Sequence, residues 1–258
     1  ATQGDLSGFE RRINYGGTSN AVSNLGADDV RVFMGSGNDT FVSYDTAKKI
    51  EVNGEAGNDS FLIGVITKVK EIPHPQFPND TSKKLVVIDI GGITKGVSYN
   101  ASFYGGSGED YFEINRNAGE VDLYGESGND LFYVQAHLIL TGETKNGEQQ
   151  TTVVNKAATI GVKLSEKSKD GTYDSEEGEL SGQDAVVNSL ALVNNNAVRI
   201  DGGSGFDALA IGTTPLDDTI YIYTEMVNDN LGVEKEVLRI YGAGIQVQEI
   251  KSVERIVL

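Results

Sequence analysis

A chain of 258 residues with 38 Asp and Glu against 21 Lys and Arg carries a net charge of −17, which excludes binders of nucleic acid or anionic membranes, since both need clustered cations. Thirty-two glycines, four prolines and no cysteine exclude a collagen-like chain, a disulfide-stapled fold and a cysteine nucleophile. No apolar run approaches the ~20 residues of a membrane-spanning helix.

The first predicted strand alternates Val30 and Val32, and the second Ile50 and Val52; a period of two marks half-buried strands. Each runs into a Gly-rich turn ending in Asp39 or Asp59, with Phe41 or Phe61 two positions on. Residues 66–88 hold Pro73-His74-Pro75 and Pro78, a density incompatible with interior strands, so this segment is expected to leave the array as a hairpin or loop. The pattern then returns twice. Ala101 and Phe103 lead to Asp110 and Phe112, and Val121 and Leu123 lead to Asp130 and Phe132. Residues 141–183 are polar and include the acidic run KDGTYDSEEGEL; an exposed insertion is expected, with short strands at 151–154 and 159–164. The array should resume from residue 185. Val198 and Ile200 precede a fifth turn at Asp207 with Leu209 behind it, and strands at 237–240, 245–247 and 253–258 end the chain.

The order is an internal repeat. Residues 106–134 reproduce residues 35–63 without a gap, at an offset of 71 (35 to 106). Within each half the aspartates stand 20 apart, 39 to 59 and 110 to 130. Twenty residues suit one coil of two short strands and two turns, and coils stack at the strand spacing of about 4.8 Å. The expected architecture is therefore all-β, a parallel β-helix or β-roll solenoid in one domain over 1–258, with insertions at 66–88 and 141–183. Its last strand carries no cap, as expected of a segment of a longer chain. Calcium–oxygen distances of about 2.3–2.6 Å would let one ion touch two stacked turns. Glycine turns carbonyls inward and aspartate adds charge.

Residues 105–113, GGSGEDYFE, and 202–210, GGSGFDALA, resemble the calcium-binding nonapeptide of the RTX, or haemolysin-type, repeat family, G-G-x-G-x-D-x-U-x with U large and apolar. Residues 34–42, 54–62 and 125–133 fit with Met34, Glu55 and Glu126 in place of one glycine. The resemblance implies calcium between successive turns, held by the carboxylates of Asp39 with Asp59, of Asp110 with Asp130, and of Asp207. Carbonyls of Gly35, Gly37, Gly54, Gly57, Gly106, Gly108, Gly125, Gly128, Gly203 and Gly205 would complete the sites. Two departures stand out: the coil interval is 20 where the family has 18, and the motif occupies one side of the coil only. Weaker turns at 15–20, 89–92 and 217–220 lack the full pattern.

Nothing in the sequence points to catalysis. His74 and His137 form no zinc-binding pair, and no nucleophile elbow or phosphate loop is present. The expected function is that of a non-enzymatic, calcium-binding structural or adhesive segment of a secreted, surface-located bacterial protein, with calcium ordering the chain after export. Its partners would be calcium and neighbouring copies or domains of the same long protein. The alternative is an accessory module of a secreted enzyme that degrades polysaccharide or protein.

Overall fold

The structure is a computed structural model and describes residues 29–77, 79–145, 148–150, 159–162, 187–228 and 232–258. The expected turn at 15–20 and the strand at 151–154 lie outside the described residues. Its elements run in chain order as β1 (Asp29–Phe33), β2 (Thr40–Ser43), β3 (Lys49–Asn53), β4 (Ser60–Ile63), β5 (Val69–Pro73) and β6 (Lys84–Ile88). They continue with β7 (Ala101–Ser107), β8 (Tyr111–Ile114), β9 (Val121–Ser127), β10 (Leu131–Gln135), β11 (Leu138–Lys145), β12 (Glu148–Gln150), β13 (Thr159–Val162) and β14 (Val187–Val193). The last six are β15 (Val198–Asp201), β16 (Ala208–Gly212), β17 (Ile220–Asn228), β18 (Glu234–Gly242), β19 (Ile245–Lys251) and β20 (Arg255–Val257). The fold is all-β; no helix occurs among the described residues.

Two sheets are built from parallel strands. The first has the order β1-β3-β7-β9-β15-β19 and continues with antiparallel β18 and β17. The second has the order β2-β4-β8-β10-β16-β20, parallel throughout. The chain steps from the first sheet to the second at every Gly-Asp turn, so identical turns stack directly.

Register explains the core. Phe41, Phe61, Phe112, Phe132, Leu209 and Ile256 lie opposite one another along the second sheet. The Phe61, Phe112 and Phe132 rings are fully buried and stack face to face, with centroids 4.7 and 4.9 Å apart. The strand spacing itself sets that separation. From the first sheet Val52, Phe103, Leu123 and Ile200 face them, and Phe103 meets Phe61 edge-on at 6.0 Å.

The third sheet, of order β13-β14-β11-β6-β5 with β12 beside β11, is mostly antiparallel. Residues 69–88 form the hairpin β5–β6, with Pro73 at the end of the edge strand, where no ladder bond is lost. Ile72, Leu85, Val87, Leu138, Leu140 and Leu190 give this sheet a core of its own. Residue 187 therefore does not restart the parallel array. Strand β14 pairs antiparallel with β11, Leu190 opposite Leu140, and the first sheet resumes at β15.

Candidate functional site

The five Gly-Asp turns superpose residue for residue. Their second positions, Gly35, Glu55, Gly106, Glu126 and Gly203, all have φ between 72° and 105°. Their fourth, Gly37, Gly57, Gly108, Gly128 and Gly205, have φ between 120° and 143°, a region L side chains rarely enter. Glu55 and Glu126 therefore hold a strained backbone that glycine supplies in the other turns.

The first position has a different need. Gly54, Gly105, Gly125 and Gly202 lie outside the positive-φ region. A Cβ on Gly105 would lie 2.8 Å from Asp110 Cγ and 2.9 Å from the carbonyl oxygen of Gly125, and it would overlap Asp110 Oδ2. The same overlap recurs at the other three with Asp59, Asp130 and Asp207. These glycines make room for the aspartate that ends their own turn. Gly54 and Gly125 thus act by absence of a side chain and Gly35 through conformation, whereas Gly106 and Gly203 do both, since a Cβ there would also overlap the carbonyl oxygens of Glu55 and Glu126.

The aspartates form one continuous column. The amide of Asp39 donates to Asp59 Oδ1 at 2.7 Å, that of Asp59 to Asp110 Oδ1 at 2.7 Å, and that of Asp110 to Asp130 Oδ1 at 2.8 Å. Asp130 donates to Asp207 Oδ1 at 2.7 Å. The pairs expected from the 20-residue interval are real neighbours, but Asp59 stacks on Asp110 and Asp130 on Asp207 in the same way. An opposing run uses asparagine one position earlier: Asn58 donates its amide to Asn38 Oδ1, Glu109 to Asn58 Oδ1 and Phe206 to Asn129 Oδ1.

A sixth rung escaped the sequence reading. The Asp207 amide donates to Glu254 Oε2 at 2.7 Å. Here the turn between β19 and β20 is shortened to Ser252-Val253-Glu254, and the longer side chain spans the gap. The signal was present as Glu254-Arg255-Ile256, which repeats the acid-x-apolar order of Asp207-Ala208-Leu209. The weaker turns stand apart from the column. Asp89 caps a turn through Gly92 and pairs with Lys68, and Asp218 accepts from Thr214 at 2.6 and 3.0 Å.

The second oxygen of each interior aspartate defines the chemistry. Oδ2 of Asp59, Asp110, Asp130 and Asp207 is buried and has no hydrogen-bond partner. Desolvation by burial pushes all four carboxyls up, Asp110 and Asp130 to about 6; the neighbouring aspartates Asp59 and Asp110 add to the rise at Asp110 and Asp130 respectively. A buried carboxylate oxygen without a donor costs several kcal/mol unless a proton or cation meets it. The groups at hand are oxygens, carboxylates and backbone carbonyls of the turns, and oxygen-only coordination is what calcium takes. Among the described residues no three acidic, histidine or cysteine side chains converge, so carbonyls would have to supply most ligands. The residues present fit a calcium ion in chemical type.

His137 lies outside this column. Its Nε2 is 2.8 Å from Asn115 Oδ1, and burial pulls its pKa down to about 4. Comparison of the chain with family models, with curated proteins and with solved structures returned no match.

Proposed function

We propose that the two parallel sheets are opposite walls of a β-solenoid whose Gly-Asp turns bind calcium. In this reading the chain is a calcium-stiffened structural or adhesive segment of an extracellular bacterial protein. One observation carries it: four buried aspartate oxygens in a single column, each lacking a donor. A cation answers that arrangement at every rung. When bound, calcium would supply positive charge to Asp59, Asp110, Asp130 and Asp207 and tie consecutive turns together. The chain's own part is to hold each Oδ1 by a backbone amide, so that Oδ2 is fixed in place before any ion arrives.

A second reading rests on the same hydrogen bonds. With Oδ1 satisfied and the carboxyls raised by burial, a protonated column is a metal-free stack that needs no ion. Calorimetric titration of metal-free protein with calcium at neutral pH separates the two. At least two calcium ions per chain, with weak competition from magnesium, supports the proposal. The double variant Asp110→Asn, Asp130→Asn should lower that number. Absence of any binding heat, or an unchanged stoichiometry in the double variant, leaves the metal-free stack as the answer.

A further inference from the structure

Among the described residues, strand β17 is the last strand of the first sheet and has one hydrogen-bonded neighbour, β18. It is nine residues long, IYIYTEMVN. Tyr221 (58%), Ile222 (44%), Tyr223 (44%) and Met226 (58%) are exposed on alternate faces of it, so this end of the sheet projects beyond the core with apolar groups on both sides. Its one charged residue, Glu225, pairs with Arg239 of β18 at 3.2 Å. In a chain of net charge −17, the edge itself is neutral. A long, largely apolar edge whose one charge is already paired is a template for another strand, and proteins normally blunt such edges with lysine, proline or a bulge. None of these devices is present along Ile220–Asn228.

We propose that β17 pairs antiparallel with β17 of a second copy of this chain, about a two-fold axis at Thr224. The sequence of the strand selects both the occupant and the register. Centred on Thr224, all nine residues find partners: Ile222 meets Met226, Tyr221 meets Val227, and Tyr223 meets Glu225, whose carboxylate can accept from the phenol. The two Glu225 side chains are kept apart. Moving the axis one residue toward Glu225 places like charges directly opposite, which is unfavourable, and moving it toward Ile220 leaves Asn228 and its neighbours unpaired. The interface is isologous, so it closes at a dimer, and it joins the first sheets of both copies into one. The inference is independent of calcium.

The test uses sedimentation velocity on the full chain over a concentration series. A reversible monomer–dimer equilibrium is expected. Ile222→Lys and Met226→Lys should each raise the dimer dissociation constant about tenfold or more, with unchanged circular dichroism. Val86→Lys, at an equally exposed apolar position (57%) on β6, should leave it unaltered. Since the chain has no cysteine, Thr224→Cys offers a register test that survives loss of affinity in the other variants. Directly opposed residues in an antiparallel pair lie about 4.5–5.5 Å apart at Cα, within disulfide reach. Mild oxidation should cross-link Thr224→Cys into a dimer and leave Tyr221→Cys monomeric. A monomer at all concentrations, growth beyond the dimer, or equal cross-linking of both cysteine variants overturns the proposal.

Discussion

Asp110 concentrates the conflict that governs the column. Its Oδ1 accepts from the amide of the preceding rung, Asp59, and its Oδ2 is buried without a donor. Asparagine keeps the accepting oxygen and replaces the buried carboxylate with a neutral amide, which carries no charge to desolvate. Asp110→Asn is therefore expected to raise the melting temperature of metal-free protein at neutral pH, by the equivalent of about 1–3 kcal/mol. It should also reduce, without abolishing, the further gain on adding calcium. Thermal melts with and without calcium check both halves, and a destabilised metal-free variant would contradict this account of Oδ2. Gly105 offers a steric counterpart. Gly105→Ala drives a methyl into the Asp110 carboxyl and the next turn's carbonyl, with an expected loss of about 3 kcal/mol or more. Gly91→Ala, at φ 69° but with open space around it, carries only the left-handed penalty of about 1–2 kcal/mol. If urea denaturation ranks the two the other way, the room made for the aspartate is not what Gly105 provides.

At the scale of elements, the parallel sheets were readable because their information is local. Period-two alternation at Val30, Ile50, Ala101, Val121 and Val198 marks each strand, and the acid-x-apolar step from Asp to Phe or Leu marks each crossing. The third sheet was not readable as a sheet. Ile139 meets Ile88, and Leu138 meets Leu192, partners about fifty residues apart that no single turn joins. The column of five aspartates looked like two pairs plus one for a related reason. The chain leaves for the β5–β6 hairpin and then for the third sheet before returning, so neighbouring rungs stand 51 and 77 residues apart. Spatial stacking survives such excursions while periodicity in the chain does not. The stacked rings make a prediction of their own. Phe112 touches both Phe61 and Phe132, so Phe112→Ala should cost about 3–5 kcal/mol. Phe206→Ser, at a residue 57% exposed, should change stability by less than about 0.5 kcal/mol. Chemical denaturation of the two variants decides whether the rings, rather than the aspartate column alone, hold the stacked strands together.

For the whole molecule, pH reports on the column against a background of ordinary carboxylates. Burial raises Asp110 and Asp130 to about 6, with Asp59 and Asp207 displaced the same way. Between about pH 4, where unfolded aspartate ionises, and about 6, the folded chain keeps protons that the unfolded chain has released. Stability must then fall as pH rises through that window and level off above it. Asp80, Asp89 and Glu249 have lowered pKa values through their hydrogen bonds and ion pairs, so their contribution is lost only in acid, below about 4. His137 acts in the column's own window with the opposite sign. Its pKa, held near 4 by burial, makes stability rise as pH climbs from about 4 to its unfolded value near 6.5. Two strongly raised aspartates with two lesser ones outweigh one histidine, so metal-free protein should melt a few degrees lower at about pH 7 than at about pH 5. On the proposed function calcium would bind the ionised carboxylates, so its stabilising effect should be small near pH 5 and grow toward pH 7. Each site at 100-fold its dissociation constant adds about 2.7 kcal/mol. His137 contributes equally with and without calcium, so the difference between the two melting curves isolates the column. Melting followed by circular dichroism at four pH values across this range, on metal-free protein and in millimolar calcium, carries the measurement. A calcium increment independent of pH would mean that any bound ion sits away from the buried aspartates, and a metal-free melting temperature that climbs toward neutrality would mean that the column is not protonated in the folded chain.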